Sequence, residues 1–75
     1  MSSDGRVAAL GEGARVAGFG LAGALIRVAE NPDEVRDAWR ALPGDVAVVV
    51  LTPAAAEALG AERERGWPLT VVMPP

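Results

Sequence analysis

The stretch Val46-Ala47-Val48-Val49-Val50-Leu51-Thr52-Pro53 settles what kind of domain this chain forms. Six apolar residues follow one another without the polar alternation of a half-exposed strand. That pattern predicts a strand buried on both faces, as in the middle of a parallel sheet. Thr52 then supplies a helix N-cap and Pro53 suits the first helical position, so a helix is expected from Ala54 to about Arg63. A buried strand running straight into a capped helix is the beginning of a strand–helix–strand crossover.

Upstream, Asn31, Pro32 and Glu34 form a second start signal: an N-cap, a first-position proline and a capping-box acid. Asp33 and Glu34 also favour the positive end of the helix dipole. Val35, Ala38, Trp39 and Leu42 recur at i, i+3, i+4 and i+7 and predict an apolar stripe facing a core. Pro43-Gly44 closes this helix. Leu25-Ile26-Arg27-Val28 before it is a short strand, and Arg6-Val7-Ala8-Ala9-Leu10 is another, stopped by Gly11. Between them, Ala14 to about Ala24 carries Val16, Phe19 and Leu21 among Gly18, Gly20 and Gly23. Three glycines cost a helix about 1 kcal/mol each relative to alanine. A helix is expected here only because glycines permit close packing on a sheet. Downstream, Gly66-Trp67-Pro68 turns the chain into Leu69-Thr70-Val71-Val72-Met73, a last strand closed by Pro74-Pro75.

The elements therefore alternate strand, helix, strand, helix, strand, helix, strand. Such alternation implies right-handed crossovers, a parallel sheet and helices on both faces. The expected fold is a small α/β, Rossmann-like (flavodoxin-like) three-layer domain. Its four-stranded parallel sheet has the order 2-1-3-4, with three helices. Residues 1–75 make a single domain, with 1–5 frayed. A 75-residue domain buries only about 60% of the surface its unfolded chain exposes, so a partner protein is the natural source of added stability.

Composition removes several function classes. Ten acids against seven arginines leave a net charge of −3, and there is no lysine. A negative chain with scattered arginines lacks the basic stripe on which nucleic-acid binding depends. There is no cysteine and no histidine, hence no disulfide, no thiolate or imidazole metal ligand and no usual general base. Covalent catalysis would fall to Ser2, Ser3, Thr52 or Thr70, with nothing to activate them. Paired carboxylates such as Asp33 and Glu34, or Glu62 and Glu64, fall on exposed helix turns. No catalytic, cofactor-binding or metal site is expected. No apolar run is long enough to cross a bilayer, and Met1-Ser2-Ser3-Asp4-Gly5 lacks the features of a signal segment, so a cytoplasmic chain is expected.

Two glycine patterns invite a nucleotide reading. Gly18-Phe19-Gly20-Leu21-Ala22-Gly23 matches the dinucleotide fingerprint G-x-G-x-x-G, but that motif works only as the turn from a strand into a helix. Here it lies eight residues past the strand, and too few residues separate Gly23 from Glu30 for a crossover helix. Gly11-Glu12-Gly13 follows the first strand directly, and Glu30 lies near the place of a ribose-binding acid. Val16, however, holds the third glycine position, and Glu12 would repel a pyrophosphate. A phosphoreceiver domain shares the architecture, but its acids, phosphoacceptor aspartate and lysine are replaced by Gly11-Glu12, Thr52 and nothing.

Taken in order, the residues resemble a known family. A first strand leads to Val16-x-Gly18-Phe19-x-Leu21-Ala22-Gly23 and then to a short strand ending in an acid. A valine strand follows, running into Leu51-Thr52, and Pro68-Leu69-Thr70-Val71-Val72-Met73-Pro74 ends the chain. This is similar to the F subunit of the V-type and archaeal-type (V/A-type) rotary ATPases, over about Arg6 to Pro74. The resemblance implies a non-catalytic central-stalk protein. It would bind the coiled-coil rotor shaft (the D subunit), turn with it, and support or regulate ATP-driven ion transport or ATP synthesis. It would meet the membrane only peripherally, through the complex. Gly18, Phe19, Leu21, Ala22 and Gly23 match the family segment, whereas Gly20 stands where a longer residue is common. The family also carries a C-terminal helical segment along the shaft, so a chain ending at Pro75 is expected to be a short member without it.

Phe19 and Trp67 are the expected partner-facing side chains, while Trp39 is expected in the core. Two other readings stay open. One is a freestanding adaptor of the same fold, and the other is a small nucleotide binder using Gly11 to Gly13 and Glu30. Unpaired sheet edges also leave room for a homodimer.

Overall fold

The computed structural model describes residues 5–75, so all but Gly5 of the stretch 1–5 expected to fray, including the candidate nucleophiles Ser2 and Ser3, lies outside the described residues. Four parallel strands, β1 (Arg6–Gly11), β2 (Leu25–Val28), β3 (Val46–Leu51) and β4 (Leu69–Val72), form one sheet in the order β2-β1-β3-β4. That is the order the alternation predicts. The α-helices are α1 (Gly13–Val16), α2 (Pro32–Arg40) and α3 (Pro53–Leu59).

Helices α2 and α3 pack side by side on one face of the sheet. Their layer encloses the main core, in which Ala8, Leu10, Val46, Val49 and Leu51 from the strands meet Val35, Ala55, Ala56 and Leu59 from the helices. Leu25, Ala38, Trp39 and Leu42 close its margin, so Trp39 packs as its stripe position predicts. Spacing alone would put Val46 and Val49 on opposite faces. They share one because the β1–β3 register slips between Arg6 and Val7, which leaves Ala47 as an extra residue on β3.

Both start signals act as caps. The Asn31 side chain accepts from the Glu34 N–H at 2.9 Å, and Glu34 Oε1 reaches back to the Glu30 N–H at 2.8 Å. The Thr52 hydroxyl accepts from the Ala55 N–H at 3.2 Å, and Pro32 and Pro53 open their helices.

The first crossover departs from expectation. In place of a helix from Ala14 to about Ala24, α1 makes a single turn and a 3₁₀ segment follows over Ala17–Ala22. Gly18 and Gly20 weaken the longer helix, and Gly23 ends the segment in the left-handed region at φ 88°. These glycines do not serve close packing. A Cβ at Gly18 or Gly23 would meet nothing within 4 Å, and one at Gly20 would make ordinary contact with Ile26 at 3.5 Å. The third helix also ends early, at Leu59, and Gly60 leads into a second 3₁₀ segment over Gly60–Glu64.

Candidate functional site

Strand order reverses between β1 and β3, and ligands of open α/β sheets bind beyond the strand ends at such a point. A cleft of about 500 Å³ lies there, between α2 and α3, with Glu12, Glu30, Val35, Arg36, Ala55 and Glu57 in its walls. Gly11 ends β1 against Thr52, so closely that a Cβ at Gly11 would stand 2.3 Å from Thr52 Oγ1. Thr52 is fully buried.

The groups that would cradle a phosphate are engaged by the chain's own carboxylates. The Gly13 N–H, at the start of α1, donates to Glu30 Oε2 at 3.1 Å, and the Thr52 hydroxyl donates to Glu12 Oε1. That second bond, foremost, holds the Glu12 carboxyl below the ordinary carboxylate range. A backbone N–H bond adds to it, burial opposes it and nearby Arg15 helps slightly. An incoming phosphate would have to displace both carboxylates and then face Glu57 as well. Gly11, Gly13 and Glu30 do come together as the nucleotide reading requires, but as a self-capped turn. Among the described residues, no three acids gather as a metal site would need.

The other face of the sheet is organised differently. α1 and the Ala17–Ala22 segment cover β2 and the adjoining part of β1, where Val16 and Ala9 are fully buried. Beyond them the register aligns two apolar rows across the sheet, Val7–Val48–Leu69 and Ile26–Ala9–Val50–Val71. The β3–β4 part of these rows lies open. Val7 is 43% exposed, Leu69 56% and Val71 55%, and Val48 and Val50 are half-buried. The expectation that β3 is buried on both faces is therefore corrected: Val46, Val49 and Leu51 are buried, and the opposite positions are covered only in part. A short, glycine-interrupted crossover supplies one helical segment where the layer has room for two.

The family-motif residues stay together. Gly18, Phe19, Leu21 and Ala22 lie in the 3₁₀ segment, with Gly23 as its cap. Leu21 is 96% exposed, whereas Phe19 is half-buried. Trp67, 61% exposed, lies elsewhere: with Trp39, Arg40, Leu42 and Pro68 it borders a groove on the α2 side. Phe19 and Trp67 thus do not form one contact surface, because the sheet stands between the elements that carry them. Half-buried Val48 and Val50 and exposed Leu69 and Val71 are the functional candidates that the sequence left unmarked; their only signal was apolar character at alternate positions. No protein-family model matches this chain, and a search of curated proteins finds no match.

Proposed function

We propose that this chain is a non-catalytic interaction protein of the central-stalk type, one that docks on a long coiled-coil partner as the F subunit of V/A-type ATPases does on the rotor shaft. The observation that carries the reading is the half-covered sheet face. All-parallel sheets occur almost only with both faces covered, and here the β3–β4 half presents apolar side chains over which, among the described residues, no helix lies. A partner that completes the layer resolves that imbalance. The resemblance of Gly18-Phe19-x-Leu21-Ala22-Gly23 and of the closing strand supplies the type of partner. Carboxylates already seated at Gly13 and Thr52 weigh against the nucleotide reading.

Co-purification with the candidate coiled-coil shaft protein, followed by size-exclusion chromatography with light scattering, tests the proposal. A stoichiometric complex is expected. Two separate peaks would sink the stalk reading and leave the adaptor reading in its place.

A further inference from the structure

We infer that the open β3–β4 strip takes one amphipathic α-helix, lying along the strands beside the Ala17–Ala22 segment, with an acidic residue of that helix set against Arg15. The inference rests on the interaction reading above and adds the site and the chemistry of the occupant.

Width argues for a helix. Strands stand about 4.8 Å apart, so β3 and β4 present a strip roughly 10 Å wide, the diameter of one α-helix. The layer already holds α1 and the 3₁₀ segment over β2 and β1, so one more helix fills it. Spacing agrees. The rows Val7–Val48–Leu69 and Ala9–Val50–Val71 are two residues apart along the strands, about 6.6 Å. Apolar residues at i and i+3 or i+4 on a helix are about 5–6 Å apart, so successive turns of an apolar stripe meet successive rows.

A second copy of the chain fits less well. α1 and the 3₁₀ segment stand above the sheet and keep two such faces from meeting directly, while α2 and α3 already commit their apolar sides to the core. Charge specifies the rest. The aligned rows contain no charged residue, and the helical elements of this layer contribute only Arg15. Arg15 is exposed, and its guanidinium donates to the Pro74 carbonyl at 2.8 Å, which sets a cation at the strand-end limit of the strip. Among the described residues, the acids lie on α2, on α3 and its 3₁₀ extension, and at strand ends. The complementary helix is therefore apolar along one side and acidic at the end that meets Arg15.

Because the sequence has no cysteine, a single Val71→Cys variant gives a unique attachment point for a benzophenone photo-crosslinker. Ala54→Cys, exposed on α3 of the opposite face, is its control. With the coiled-coil shaft protein present, cross-linking is expected from position 71 and not from 54. The double variant Val48→Arg, Val71→Glu should weaken the complex at least tenfold, while Trp67→Ala leaves it within about twofold. Circular dichroism of each variant reports whether it folds. Cross-links from 54 alone, or loss of the complex with Trp67→Ala only, would overturn the docking site and leave the stalk reading standing.

If the wild-type chain forms no complex with the shaft protein, the stalk reading falls and the strip is tested separately. The probe is a soluble helical peptide with a leucine stripe at i, i+3, i+4 and i+7 and a terminal glutamate. Methyl NMR shifts at Val48, Val50, Leu69 and Val71 on its addition support the site; their absence, or shifts around Trp67 instead, refutes it. A dimeric mass for the reduced protein, with position 71 cross-linking to a second copy, would assign the strip to self-association and also refute the inference.

Discussion

The Thr52 hydroxyl donates to the carboxylate of Glu12 and so ties the end of β3 to the end of β1 across 40 residues of sequence. The same oxygen accepts from the Ala55 N–H at 3.2 Å, so one buried side chain caps α3 and joins the two central strands. Removing an N-cap hydroxyl costs about 1 kcal/mol, and leaving a partly buried carboxylate without its donor adds to that. Thr52→Val should lower the unfolding free energy by about 1–3 kcal/mol in urea titration, and Thr52→Ser, which keeps the hydroxyl, by clearly less. A Thr52→Val variant as stable as wild type, with the loss confined to Thr52→Ser, would mean that the methyl group, not the hydrogen bonds, matters.

Acid should destabilise the fold through Glu12. Its pKa is depressed in the folded state, chiefly by Thr52, so the stability it contributes is present above the unfolded carboxylate range and is lost as pH falls through the folded value. Asp45, held low by the guanidinium of Arg6, acts in the same direction. The melting temperature is expected to drop on acidification below about pH 4.3, and Glu12→Gln should flatten part of that slope while the Asp45 part remains. A Glu12→Gln profile parallel to wild type would remove Glu12 from the account.

Gly11 is fixed by its neighbour as much as by its backbone. With φ 153° and a hypothetical Cβ 2.3 Å from Thr52 Oγ1 and 2.4 Å from Thr52 Cγ2, Gly11→Ala must move a buried side chain. Overpacking of this kind costs about 1–3 kcal/mol. Gly18→Ala, where a Cβ meets nothing within 4 Å, should be neutral or slightly stabilising. Parallel urea titrations of the two variants make the comparison.

The one-sided burial of the sheet has its own signature. Leu51→Ala, in the α2–α3 core, should cost about 2–5 kcal/mol. A domain of this size has a total of roughly 4–11 kcal/mol, so that loss is a large share. Val71→Thr, on the open strip, should change stability by about 0.5 kcal/mol or less. Equal losses at both positions in thermal or urea unfolding would show that the strip is covered in the isolated chain.

Much of the fold was legible because its signals are local. Asn31, Pro32 and Glu34 cap α2 through atoms within four residues, and Thr52 and Pro53 open α3 in the same way. The apolar run Val46 to Leu51 and the alternation of strand and helix were enough for the parallel order β2-β1-β3-β4, since right-handed crossovers leave few arrangements. The first crossover was harder. Gly18, Gly20 and Gly23 weaken a helix without stating what replaces it, and the 3₁₀ segment reflects the short span that must join β1 to β2.

The rest was decided by contacts between residues remote in sequence. A run of valines cannot tell that Val49 meets the α2–α3 layer while Val50 faces a half-open one, because that depends on which helix returns over which strand. Nor do the letters Gly11-Glu12-Gly13 reveal that Glu30 and Thr52 occupy the hydrogen-bonding positions a phosphate would need. Phe19 and Trp67 are both aromatic and both invite a partner, yet the sheet separates the elements that carry them. Sequence by itself determined the helix starts, the strands and their order, through hydrogen bonds and apolar periodicities that span a few residues. Tertiary structure alone decided which apolar face is left open, because burial is a property of the neighbours that folding brings together and not of the side chain that is buried.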